Sequence, residues 1–133
     1  MTKQRKLVVI IICALIGSLA FLLVNTSVSL DCTDDSWINR GYVERDIIQH
    51  YTGWLCYRDS HISIPFGVSE NISYPTGGSI VFSDSIPIMS VFFGLFSEIL
   101  PETFQFFGIY TLFCYILMGV SSSLLLSIFL MIY

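Results

Sequence analysis

A chain of 133 residues that is 54% hydrophobic, only 12% charged and of formal net charge −4 is far more apolar than an average soluble domain. Its acidic balance argues against a nucleic-acid partner, because phosphate backbones are held by clustered Lys and Arg. The sequence has no phosphate-binding glycine loop, no zinc-type Cys/His spacing and no G-x-S-x-G elbow, which removes the enzyme classes those motifs serve.

Residues 1–6 carry Lys3, Arg5 and Lys6 and form a basic N-terminus. Residues 7–24 follow without a charge, and at ~1.5 Å per residue they reach ~27 Å, enough for a transmembrane helix. Basic residues before this run and Asp31, Asp34 and Asp35 after it predict a cytoplasmic N-terminus. A cleavable signal with a cut near Ser27-Val28-Ser29 is the competing reading, but the apolar run exceeds the ~7 to 15 residues of a signal core. An uncleaved anchor is therefore expected.

Residues 25–85 form an extracytoplasmic loop with three basic residues, Arg40, Arg45 and Arg58, against eight acidic ones. Asp34, Asp35 and Ser36 offer a cap for a short turn near Trp37. From 42 to 57, Val43, Ile47, Tyr51, Trp54 and Leu55 recur at three- and four-residue steps, which predicts an amphipathic helix. Tyr51, Trp54 and Tyr57 on or near its apolar face place it along the membrane interface, where amphipathic rings settle. Alternating runs at 62–64, 72–74 and 80–82, set among prolines and glycines, read as short strands and turns. Cys32 and Cys56 share this loop; a bridge between them and two unpaired thiols are both open readings. Asn25-Thr26-Ser27 and Asn71-Ile72-Ser73 match the glycosylation pattern, which matters only in a host that glycosylates.

Residues 86–100 open with Pro87 and stop before Pro101; they read as a transmembrane or a re-entrant helix, with a crossing favoured. Residues 104–133 read as a further transmembrane helix, long enough to require tilt or a break near Gly119 to Ser123. Gly119 and Ser121 to Ser123 permit close approach to other membrane helices. The expected fold class is thus mainly α and integral to the membrane, with two to three transmembrane helices around the extracytoplasmic loop. Because the chain ends inside apolar sequence, it is expected to be the N-terminal portion of a longer polytopic protein.

Chemistry has few carriers. Asp46 and His50 lie four apart and share a helix face, with Gly53 one turn on leaving space beside them. A carboxylate beside an imidazole suits general-base catalysis, although the same pair is equally at home on a solvated helix. Asp84 precedes Ile86-Pro87 where the loop returns to the membrane, as an acidic site residue or as a helix cap. The three arginines suit a phosphate clamp or surface ion pairs.

The strings Asp46-Ile-Ile-Gln49-His50-Tyr-Thr-Gly53-Trp54, Tyr74-Pro75-Thr-Gly77, Ser83-Asp84-Ser85-Ile86-Pro87 and Phe104-Gln105-Phe-Phe107-Gly108, in that order, resemble the N-terminal part of bacterial polytopic membrane proteins of unknown function that are similar to GT-C glycosyltransferases. The resemblance extends from about Gly41 to Gly119. It implies a fragment of a GT-C-like fold in the bacterial inner membrane, with the loop on the periplasmic or extracellular side. It also implies transfer of a sugar from a polyprenyl-phosphate-linked donor to a cell-envelope glycan. Asp46 would be the catalytic base, with His50 beside it and Asp84 as a second acidic site residue. Membrane lipid and the lipid-linked sugar are the implied partners. No resident cofactor is fixed, and a divalent metal is left open. Lacking the further helices that build a donor cavity, the chain is expected to be inactive alone. The rival expectation is a small non-catalytic membrane subunit whose outer segment binds a partner, with Asp46 and His50 merely solvated.

Overall fold

The computed structural model describes residues 3–39, 45–60, 64–83 and 85–132. In chain order these form α1 (Lys3–Val24), α2 (Ser36–Asn39), α3 (Arg45–Arg58), β1 (Val68–Ser69), β2 (Gly78–Ser79), α4 (Pro87–Gly94) and α5 (Phe107–Ile132), with short 3-10 turns between them. Two compact units result: Met1–Cys32 with Phe106–Tyr133, and Thr33–Gln105.

In the first unit, α1 and α5 pack side by side in opposite directions. Their backbones touch at Gly17 against the Tyr115 carbonyl and at Gly119 against the Cys13 carbonyl, where an added Cβ on either glycine would collide with backbone. Glycine inside a helix costs about 1 kcal/mol relative to alanine; the return is this close approach. Phe21 is fully buried and meets the edge of Tyr115 at 5.8 Å. The hydroxyls of Ser18, Thr111, Ser122, Ser123 and Ser127 each donate to a carbonyl three or four residues back, so no exposed partner is needed for them. Within these helices Gln4–Val24 and Phe107–Phe129 are long and apolar enough to cross a membrane, with mean hydropathy 3.2 and 2.1. No break occurs near Gly119 to Ser123, and α5 runs through as one helix of 26 residues.

The second unit is built on α3. Trp54 is fully buried, its Nε1 donating to the Phe104 carbonyl at 3.1 Å and its ring meeting Phe104 edge-on. Tyr51 and Tyr57 are 3% and 4% exposed. The ring-bearing face of α3 is therefore consumed by protein packing, which corrects the expectation that these rings rest on lipid headgroups. The cap was read correctly: Asp34 Oδ1 accepts from the Ser36 N–H at 2.8 Å, and the Ile38 N–H returns to the Asp35 carbonyl. Thr103 Oγ1 donates to the Thr33 carbonyl and ties the two ends of the unit together.

Two further expectations need correction. The strands fall at Val68–Ser69 and Gly78–Ser79, paired antiparallel with Val68 opposite Ser79, not at the alternating triplets. Residues 80–83 are a 3-10 turn that points Val81 and Phe82 both outward, and residues 62 and 63 lie outside the described ones. Residues 86–100 do not form a membrane-crossing helix. The eight residues of α4 reach ~12 Å against a ~30 Å hydrocarbon core, because Gly94 ends the helix and the chain turns through a 3-10 segment at Ser97–Ile99.

Candidate functional site

The predicted site centres on α3. Asp46 lies in its first turn, where a carboxylate complements the positive end of the helix dipole, and it is exposed. His50 is half-buried, and its Nδ1 is enclosed without a hydrogen-bond partner. Among the described residues no hydrogen bond or ion pair joins Asp46 to His50. Asp84 lies outside the described residues, as do Arg40 and the start of the expected helix at 42–44.

Gly53 does not leave a vacancy. Its α carbon is covered by the hydroxyls of Ser83 and Ser85, which lie 2.9 Å apart. The spacing on one helix gave no hint of this, because the filling side chains come from a segment thirty residues on. The same contact brings together the two most distinctive strings of the sequence, the one from Asp46 to Trp54 and the one from Ser83 to Pro87. Within the second string, Ile86 adopts a left-handed backbone with φ 49°, an unusual state for a β-branched residue. Ser90 Oγ donates back to the Ser85 carbonyl at 2.6 Å.

Beside this junction lies an open groove of about 360 Å³, walled by Gln49, Thr52, Gly53 and Cys56 of α3 and by Asn71, Ile72, Ser73 and Ser83. Its polar groups are neutral amides and hydroxyls. Gln49 lies one turn along α3 from the exposed Asp46, which is not among the residues that wall the groove. Sequence reasoning missed the groove; the signal was the polar spacing of Gln49, Thr52 and Gly53 on the side of α3 opposite its aromatic stripe.

The cation expected to clamp phosphate is used otherwise. The Arg58 guanidinium donates to the carbonyls of Ser97, Leu100, Pro101 and Glu102 at 2.8 to 3.3 Å and lies over the Trp54 ring. Tyr51 OH donates to Asp35 Oδ2 at 3.0 Å. Burial, then this hydrogen bond and the charge of Asp35, push the Tyr51 phenol well above its ordinary value, with Arg58 opposing. Cys32 and Cys56 are free thiols, so the bridge left open by the sequence is not formed; burial and then Asp31 push the Cys32 thiol up. Among the described residues no three His, Cys, Asp or Glu side chains gather as a metal site requires.

The arrangement in hand is a pair of apolar helices joined through a folded polar unit, with a shared junction of two distinctive strings. The comparison with protein families matches residues 14–130 to the family described as Domain of unknown function (DUF6311). The chain belongs to that family. The match runs from within α1 to within α5, so the helix pair and the unit between them form one family module. No curated protein and no solved structure matches the chain.

Proposed function

We infer that this member of the family is the membrane-anchored N-terminal portion of a glycosyltransferase. It takes a sugar from a polyprenyl-phosphate-linked donor and passes it to a cell-envelope glycan. α1 and α5 cross the bacterial cell membrane. In support, little of either candidate span is buried, 11% and 6% of its most apolar stretch, unlike the core helices of a water-soluble fold. Lys3, Arg5 and Lys6 hold the N-terminus in the cytoplasm. The unit Thr33–Gln105, which joins the two spans, then lies on the outer side.

The observation that carries the activity is an exposed carboxylate, Asp46, one helical turn from Gln49 in the wall of a neutral polar groove. Amides and hydroxyls without a fixed charge suit a polyhydroxyl ligand, and the carboxylate accepts the proton of the attacking hydroxyl as the lipid phosphate leaves. His50 serves as a positioning residue, since its Nδ1 is enclosed. Arg58 is committed to backbone carbonyls and offers the phosphate no clamp.

The test is Asp46→Asn in cells carrying the protein in its longest form, with incorporation of labelled sugar into surface glycan as the readout. Incorporation drops about 100-fold or more while the amount of protein in the membrane holds steady. Incorporation within about twofold of the unaltered protein, against that expectation, overturns the catalytic role. It would instead support the second reading, a non-catalytic membrane subunit, which is favoured by the filled space at Gly53 and the structural use of Arg58.

A further inference from the structure

The α4 segment is inside out. A helix on a water-facing unit turns its large apolar residues inward and its small polar ones outward, and α4 does the reverse. Ser90 is fully buried, its hydroxyl satisfied by the Ser85 carbonyl. Gly94 is buried against the Tyr57 ring, which an added Cβ would meet at 2.8 Å. Outward stand Ile88, Phe92, Leu95, Phe96 and Ile99, with 75%, 54%, 54%, 44% and 80% of their surface exposed. Ile88 and Phe92, four apart, share one face of α4, Leu95, Phe96 and Ile99 follow in the turns after it, and the Phe92 and Phe96 rings touch at 5.6 Å between centroids.

We propose that this face is a membrane-embedded foot: Ile88, Phe92, Leu95, Phe96 and Ile99 sit in the headgroup and acyl boundary of the outer leaflet. It rests on the membrane location inferred above, though not on the chemistry assigned to Asp46. Two observations identify lipid as the occupant. The first is continuity with the spans. Ile99 lies eight residues along the chain before Phe107, where α5 begins. The second is the state of the backbone after α4. Irregular chain at membrane depth is tolerated only where its polar groups are satisfied by protein. The Arg58 guanidinium supplies that to the carbonyls of Ser97, Leu100, Pro101 and Glu102. Further, the Phe96 N–H returns to Phe93 and the Ile99 N–H to Phe96. At ~12 Å the helix cannot cross, but it can lie with its apolar face ~5–10 Å into the boundary. Glu98 and Glu102, both exposed, mark the level of water.

The test places an environment-sensitive fluorescent amino acid at Phe92, Ile99, Glu70 or Leu19, one at a time. The full chain is reconstituted in phosphatidylethanolamine and phosphatidylglycerol vesicles containing phosphatidylcholine with a spin label high or low on its acyl chain. Probes at 92 and 99 emit to the blue of the probe at 70 and are quenched most by the high label, while the probe at 19 is quenched most by the low one. Water-like, unquenched emission at 92 and 99 beside a quenched probe at 19 overturns the foot and leaves the membrane spans standing. Blue-shifted but unquenched emission at 92 and 99 means that protein, such as a second copy, covers the face, and also overturns it. An unquenched probe at 19 removes both the foot and the membrane location.

Discussion

The paired helices and the unit they flank are held together by opposite means. Between α1 and α5 the contact depends on absent side chains: Gly17 and Gly119 let backbone meet backbone. Around α3 it depends on the largest side chains available, with Trp54, Tyr51 and Tyr57 buried and their polar tips or neighbours hydrogen-bonded to backbone or carboxylate. The contrast follows from the solvent each region excludes. Burying rings is rewarded where water is displaced. In the membrane location proposed for α1 and α5 that reward is missing, and close van der Waals packing of small residues takes its place.

Trp54→Ala gives the largest effect expected. Losing a fully buried indole costs about 3–5 kcal/mol and leaves the Phe104 carbonyl unmatched. In urea titrations followed by near-ultraviolet dichroism, the unit Thr33–Gln105 unfolds early while the far-ultraviolet signal of α1 and α5 persists. Simultaneous loss of both signals would show that the two regions do not stand apart. Gly119→Ile breaks the opposite side of the contrast. Its side chain meets the Cys13 carbonyl, which has no rotamer to yield, and overpacking of this kind costs about 2 kcal/mol. Thermal melts in detergent should show a weakened helix pair with the Trp54 signal unchanged.

The smallest effect sharpens the picture of the polar unit. Tyr51→Phe removes a hydroxyl-to-carboxylate bond worth about 1.5 kcal/mol. The raised phenol value also sets a pH dependence. The folded chain holds the Tyr51 proton beyond the ordinary value of about 10, so the unfolded state releases protons first as pH rises. Stability from this group is complete below about pH 10 and falls above it. In Tyr51→Phe, measured in the same buffers, that part of the alkaline loss disappears.

How much could be read from the residues alone follows the same division. The extent of α1 and of α5 was legible because an uninterrupted apolar run leaves the backbone no choice but to satisfy its hydrogen bonds within the segment. The helix at α3 was legible from periodicity, and α2 from its Asp34 cap. What periodicity could not say was where the aromatic face of α3 would turn. Amphipathicity is the same whether a helix lies on lipid or on Phe104. The occupied space at Gly53 depends on Ser83 and Ser85, and the commitment of Arg58 depends on four carbonyls some forty residues away; neither leaves a trace in local spacing. The triplet at 80–82, Ile-Val-Phe, has the β-branched and aromatic residues of a strand, yet only two residue pairs align between β1 and β2 and the ladder stops at Ser79. Asp46 is exposed in the first turn of α3 and His50 is half-buried, a difference that their spacing of four residues does not reveal.

The Thr103 to Thr33 bond carries one more consequence. Residues 25–106, 82 in all, separate the two long helices along the chain, and closing so long a loop on an unstructured path costs entropy that grows with its length. Once the unit has folded and its beginning and end are joined, α1 and α5 are linked through what amounts to a short connector. With the path reduced to 25–33 and 103–106, about thirteen residues, that shortening spares about 1.5 kcal/mol of closure entropy. Closing the helix pair is thereby favoured once the polar unit has folded.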